Sequence, residues 1–578
     1  MTSSEFNREQ GAVMVLALGF TMIVGTLLVG AITTTTLLSR STRSNLDSTV
    51  AQGLAEGATE VAQKEMLTAI ANFEDPPLAG SITLGGITAN WTATQLGAAT
   101  LRTEADGTQT IGTPYEISSS VTVESGSGNV NRIVDLTVTP LYQYMIFYDG
   151  DLEVLPGPTM YLEGRVHANG DLYLGAGQSL VVDTDYMRAT GEIKRQRKNN
   201  GRQTGGTVSV RKYNDTTFVS LAATEDSDSA NWAQTALARW DGTVQSGAHS
   251  VREVLTPELQ SIEPGGHFHQ NADLVIRDGA AFNNFGVPLY LPPGTIQEMS
   301  MYDARQETYV TVTEIDMALL NTSGSFPANG LVYAYRTDAS TSQPNGFRLT
   351  NGSELLSDFS LVSENSVYIH GDFNNVNKKG ASVIADAVNL LSNAWDDSKT
   401  PGNVPKAAET EYHLAFITGD IPTPDGGGRY SGGFENLPRF HENWRGVRAT
   451  IRGAFARLYE SKYATGHWGK RHVYSPPIRD WRFDADLLDV ANLPPFTPNT
   501  AYVRRLLWDD HHEVTFKPDD LVLSTMPDAP TYDPWVYDVG FMSKVISDPN
   551  TNSMRKGYNP AGAHSFSPSG FGPAPTTP

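Results

Sequence analysis

The first pattern along the chain is an unbroken apolar run. Residues 11–38, GAVMVLALGFTMIVGTLLVGAITTTTLL, contain no charged side chain; Glu9 and Gln10 precede them and Arg40 follows. The run exceeds the ~20 residues that span a bilayer as a helix and is too long for the ~7–15-residue core of a signal peptide. No small-x-small cleavage site with a polar break ends it. The sequence instead continues without proline to Pro76, placing Leu46, Val50, Leu54, Ala58 and Val61 at helical spacing. That pattern predicts one long helix, apolar first and amphipathic second.

Beyond residue 80 the period falls to two. Gly85, Ile87, Ala89 and Trp91, then Ile117, Ser119, Val121 and Val123, then the largely alternating stretch from Arg132 to Pro140, read as short strands with breaks such as Ser125-Gly126-Ser127-Gly128. They predict a small sheet packed on the helix. Farther on, Met160, Leu162, Val166, Leu172 and Leu174 alternate, with Gly164, Gly170 and Gly175 at corners; Leu349, Leu355, Leu356, Phe359, Leu361, Val367 and Ile369 repeat the idea. Short strands at near-regular spacing predict a β-solenoid or a sandwich, and no strict repeat length decides between them. The run from Ala381 to Leu391 reads as a buried strand or a short helix. The expected fold is mainly β (α+β): a long N-terminal helix at 12–75, a small β domain at 80–143, a solenoid-like body at 144–395, a C-terminal α+β region at 396–557 and a Pro/Gly/Ser-rich tail at 558–578 that reads as disordered.

Composition narrows the function classes. Hydrophobic residues are 39% and charged residues 18%, which fits neither a disordered chain nor a multi-span membrane protein. With 64 acidic against 42 basic residues, the net charge of −22 repels a nucleic-acid backbone on average. The absence of cysteine excludes disulfides and thiolate metal sites, and suits an exported protein.

The residues Glu9-Gln10-Gly11-Ala12-Val13-Met14-Val15-Leu16-Ala17-Leu18 resemble the start of PilX-type minor pilins, and Ala51-Gln52-Gly53-Leu54-Ala55-Glu56-Gly57 resembles that family's Ala-x-x-Ala-Glu-Ala stripe. The resemblance implies a leader at 1–11 cut by a prepilin peptidase, so that Gly11 ends the leader and Ala12 begins the mature chain. It also implies an inner-membrane, single-pass protein with its body periplasmic or extracellular, later in a filament or on the cell surface, whose partners are other pilin or pseudopilin subunits. Major pilins carry a glutamate at the position of Leu16; its absence here fits a filament tip or initiating complex better than a repeating shaft, with adhesion as an added role. Charge placement alone leans the other way, since Arg8 precedes the span while Arg40 and Arg43 follow it. Stretches beginning at Tyr144, Val367 and Glu435 resemble bacterial proteins of unassigned activity that pair a PilX-like N-terminus with a large body, over roughly residues 144 to 500.

Candidate chemistry is sparse. His267 and His269 would share one face of a strand as a metal pair. Asp509-Asp510-His511-His512-Glu513 is dense in ligand types, though a solvated loop is the stronger reading. Asp372 and Asn374, within residues 371–377, offer oxygens to calcium, but the twelfth position of an EF-hand loop would be Val383 instead of glutamate, and an Asx-rich turn is the better reading; the same holds for Tyr148-Asp149-Gly150-Asp151. The basic residues Arg188, Lys194, Arg195, Arg197, Lys198 and Arg202 read as a hairpin tip before they read as an anion site. Trp444, Trp481 and Arg445, with Phe434, Phe440, Trp468 and Tyr474 nearby, suit sugar stacking or partner contact as well as core packing. A membrane-anchored, solenoid carbohydrate-active enzyme is the alternative to a structural or polysaccharide-binding subunit; it would need two or three carboxylates gathered in one cleft, for which Asp372, Asp386, Asp484 and Asp486 are available. No Gly-x-Ser-x-Gly, Walker A or strand-linked Gly-x-Gly-x-x-Gly occurs. The expectation is a non-enzymatic protein without an obligate cofactor.

Overall fold

The computed structural model describes residues 3–104, 106–222, 225–424, 427, 431–467 and 473–509. The N-terminal helix runs unbroken from Ser3 to Ala71. Between Phe20 and Val50 its apolar side chains, Leu27, Leu28, Ile32 and Leu37 among them, are exposed, and it is long and apolar enough to cross a membrane. The polar run of threonines is compatible with that setting. The hydroxyls of Thr33, Thr34, Thr35 and Thr36 donate to the carbonyls of Val29, Gly30, Ala31 and Ile32, so none needs water.

From Ala51 the helix buries a narrow stripe: Ala51, Leu54, Ala55, Ala58, Ala62, Met66 and Ile70. Alanines there let an antiparallel sheet approach closely. Its strands lie in the order Ala79–Leu84, Ile87–Gln95, Gln109–Val123, Gly126–Pro140 and Asn499–Asp509, with Thr100–Thr103 also on Gln109–Val123. The hairpin Gln109–Val123/Gly126–Pro140 touches the helix backbone itself. A Cβ on Gly126 would overlap the Asp47–Ser48 peptide, and one on Gly128 the Ala51–Gln52 peptide. The Gly126-Ser127-Gly128 segment is therefore the contact surface of a strand, where the sequence suggested a turn-rich break.

The last strand of this sheet comes from far along the chain. Asn499 pairs with Pro140, Ala501 with Val138 and Val503 with Leu136. Residues 141–498 are thus an insertion between two neighbouring strands of the helix-and-sheet unit.

The insertion is a β-solenoid. One sheet stacks, in spatial order, Leu274–Arg277, Leu331–Tyr335, Phe359–His370, Ala381–Leu391, Ala415–Asp420, Phe455–Glu460, Ile146–Tyr148, Val166–Ala168, Met187–Ala189 and Val244–Gln245, all parallel. Other sides carry parallel ladders of Leu152–Val154, Leu172–Leu174 and Ile193–Lys194, of Met160–Glu163, Ser179–Asp183 and Thr207–Arg211, and of Thr410–His413, Arg448–Gly453 and Ile478–Phe483. Chain order and spatial order differ. The chain enters mid-stack at Ile146, winds to one end at Val244, and crosses to the opposite end through residues 246–273. It then winds back until Phe455 pairs with Ile146. The winding closes where it began, so both ends of the insertion leave side by side.

The ladder runs through the boundary expected at 395/396. Thr410–His413, Arg448–Gly453 and Ile478–Phe483 are coils of the same solenoid, and Asn499–Asp509 belongs to the first sheet, so residues 396–509 form no separate α+β region. The tail at 558–578 lies outside the described residues.

Ala381–Leu391 is a strand, buried at every residue. Leu361, Val383, Phe416 and Ile146 point into the solenoid, while Val362, Ile384, Ile417 and Phe147 point outward against the helix-and-sheet unit and the 246–273 crossing. Burial on both faces erases the alternation that marks a half-exposed strand, which is why this run reads ambiguously. Ile384→Val is accordingly expected to lower unfolding free energy by about 1 kcal/mol. On a solvated outer face it would cost almost nothing, and denaturant titration separates the two.

Candidate functional site

The structure separates most residues that the sequence groups together. His267 and His269 sit on a short helix, His267–Asn271, not a strand, so they do not share a face. His267 stacks on Phe73 at 4.0 Å between ring centres, and burial pulls its pKa down to about 4. His269 stacks on Tyr333 and accepts the Gly265 N–H. Each ring is a packing element at the junction of the crossing with its neighbours, and the metal pair is withdrawn.

Asp372 and Asn374 hold loops. Asp372 accepts the Glu411 N–H. Asn374, buried and at φ 54°, donates to the carbonyls of Lys379 and His413 and accepts the Lys379 N–H. That conformation is the left-handed one asparagine tolerates, so an Asx turn accounts for it. Among the described residues no three His, Asp or Glu side chains gather as a metal site. Of the 509–513 segment, all but Asp509 lies outside the described residues.

Trp444 and Trp481 are corrections of a different kind. They are 0% and 2% exposed, packed with Phe440, Phe434 and Phe455 inside the solenoid, and present no surface for a sugar or partner. Arg445 alone of that trio is exposed, at the turn before Arg448–Gly453. The basic cluster is likewise dispersed. Arg188 and Arg195 are buried and donate to backbone carbonyls, while Lys194 and Lys198 pair with Asp171 and Asp151.

The carboxylates part company too. Asp386 is buried and accepts the N–H groups of Tyr463 and Ala464, and Asp372 serves its own loop. Asp484 and Asp486 instead share a cavity of about 210 Å³ with Asp358, Lys378, Lys379 and His413. Lys378 lies 2.8 Å from Asp484 and 2.6 Å from Asp486. Burial alone would lower its pKa, but the two carboxylates outweigh it and hold it above the usual lysine range.

This cavity opens beside an outward-facing row that no local motif announces. His413 is the cross-strand partner of Arg452, and Arg452 of Arg482. Asp480 receives three arginines: Arg452 at 2.9 Å, Arg482 at 3.3 Å and Arg448 at 3.6 Å. Burial would raise Asp480, yet Arg452 and Arg482 hold it below the usual carboxylate range. Arg448 and Arg482 remain 50% and 59% exposed, and Glu411, 3.7 Å from His413 on the same face, is the second carboxylate beside Asp480, so the arginines keep a small excess of positive charge on an acidic protein. Period-two alternation in Arg448–Gly453 and Ile478–Phe483 was the available signal, because Ile451 and Trp481 point in and their charged neighbours must point out.

No family model matches the chain, and no curated protein matches it. Among solved structures, the competence-associated pilin ComZ from Thermus thermophilus is similar over 80% of this chain and 97% of that one, at 12% identity and a TM-score of 0.21.

Proposed function

We propose that the chain is a minor-pilin-like structural subunit, anchored by its N-terminal helix and displaying the solenoid outside the membrane. The observation that supports this most directly is the division of one continuous helix: its first half leaves apolar side chains unburied, and its second half packs on an antiparallel sheet. An exposed apolar half needs lipid or neighbouring helices of the same kind. The PilX-like wording around Gly11 and Ala12 adds prepilin peptidase as the processing enzyme and other pilins or pseudopilins as partners. Leu16 in place of a glutamate, together with an insertion far larger than the sheet that carries it, suits a tip or initiating complex. The role is structural and not catalytic.

Mass spectrometry of protein from native membranes or sheared surface fractions tests the reading. A mature chain beginning at Ala12 is expected. A start at Met1 or Thr2 would leave a simple membrane-anchored protein, and recovery at shaft stoichiometry would remove the tip assignment.

A further inference from the structure

We infer that the cavity and the arginine row form one binding surface for an acidic polysaccharide, a polymer bearing both hydroxyls and spaced carboxylates or sulfates. The surface is continuous: His413 lines the cavity and is also the cross-strand neighbour of Arg452, which leads to Arg482. Arg452 and Arg482 lie side by side on adjacent parallel strands, an arrangement of like charges that Asp480 and, on the neighbouring strand, Glu411 neutralise only in part. Guanidinium groups are suited to planar, bidentate recognition of carboxylate and sulfate.

The cavity narrows the choice of anion. Its wall carries Lys378, Lys379 and His413 together with Asp358, Asp484 and Asp486. Three carboxylates disfavour an anion that offers them no hydroxyl donors, such as the phosphate backbone of duplex DNA, as does the net charge of −22. They are, however, good acceptors for hydroxyl groups, while the lysines are donors to a ligand carboxylate. Mixed acceptors and cations in a small polar cavity, followed by a face on which three arginines outnumber Asp480 and Glu411, fit a sugar unit seated in the cavity with an anionic chain running on from it. The tryptophans play no part, being buried, and the inference stands whether or not the chain joins a filament.

Full-length protein in an uncharged detergent is titrated with a polygalacturonate oligomer, its methyl-esterified counterpart, a heparin oligomer and duplex DNA. Saturable binding to galacturonate or heparin is expected, with the methyl ester about tenfold weaker than the free acid. Of the two acidic oligomers, tighter binding of galacturonate assigns carboxylate as the recognised group, and tighter binding of heparin, which carries carboxylates as well, adds sulfate to it. The double variant Arg448→Ser/Arg482→Ser keeps the Arg452–Asp480 pair and is expected to bind about tenfold less tightly at an unchanged melting temperature. Asp486→Asn, at a side chain 61% exposed, is the sharper test. The amide keeps one neutral oxygen where the carboxylate had two charged ones, a poorer hydroxyl acceptor that weakens glycan binding, whereas removal of a negative charge tightens binding of any simple polyanion. Tighter binding by Asp486→Asn, DNA competing as well as the oligomers, or no saturable binding to either acidic oligomer would each overturn the inference.

Discussion

Arg165→Ala is expected to lower the unfolding free energy by about 3–5 kcal/mol, the range for removing one partner of a buried ion pair. Arg165 lies between the solenoid strands Met160–Glu163 and Val166–Ala168, and Asp106 in the turn that joins Thr100–Thr103 to Gln109–Val123 of the helix-packed sheet. Their side chains are 12% and 16% exposed and 2.5 Å apart, and the guanidinium also covers the Tyr186 ring at 4.6 Å. The pair therefore fastens the two units to each other. Burial alone would raise the Asp106 pKa, but the Arg165 charge and hydrogen bond, with those of Thr108, outweigh it and leave the pKa depressed. A depressed carboxylate contributes stability that is complete above its unfolded pKa and is lost as pH falls through the folded value. Acid titration of wild type should show that loss on the acid side of the ordinary aspartate range, and Arg165→Ala should shift it toward ordinary carboxylate pH. Chemical denaturation of the full chain in detergent measures both effects. A cost below about 1 kcal/mol, the scale of an exposed pair, would mean that the units are held by apolar packing alone.

Gly128→Val is expected to be at least as damaging. An overpacked core site ordinarily costs about 1–3 kcal/mol because side chains can rotate away from the insertion. Here the new Cβ meets the Ala51–Gln52 peptide, and a strand backbone carries it, so neither side of the clash has a rotamer to use. The hairpin must lift off the helix, exposing the Ala55–Ala58 stripe. Loss of protection of hairpin amides against hydrogen exchange, with solenoid amides still protected, is the expected signature. Gly85→Ala is the control: at φ 59° its added methyl is strained but meets nothing within 4 Å, so it should stay well short of that cost.

The parts of this fold that announce themselves in sequence are those governed by local periodicity. The helix is legible because apolar and small residues recur every three or four positions, and the coils around Met160, Leu162 and Leu174 because they alternate. What stays hidden is adjacency. Nothing near Pro140 or Asn499 signals that they pair, and coils from Ile146, Val166 and Met187 differ in spacing from those at Val332, Leu361, Val383 and Phe416. For Trp481 residue type leaves core packing and surface contact both open, and alternation favours the first: flanked by Asp480 and Arg482 in a strand, it faces opposite its charged neighbours. The arginine row escaped notice because its members come from two strands that only the winding brings together.

The return of the chain to its starting point has a consequence for biogenesis. As the polypeptide is made from its N-terminus, the strand Gly126–Pro140 appears early, but its edge partner Asn499–Asp509 appears only after the whole solenoid. Ile146–Tyr148 likewise waits for Phe455–Glu460 on one side. Until then both present unpaired backbone, the template on which other chains assemble by mistake. Closing contacts at such sequence separation is slow, so nascent chains of this protein carry two open sheet edges for most of their synthesis, and a holding factor that covers them would act before, not after, the final strand is released.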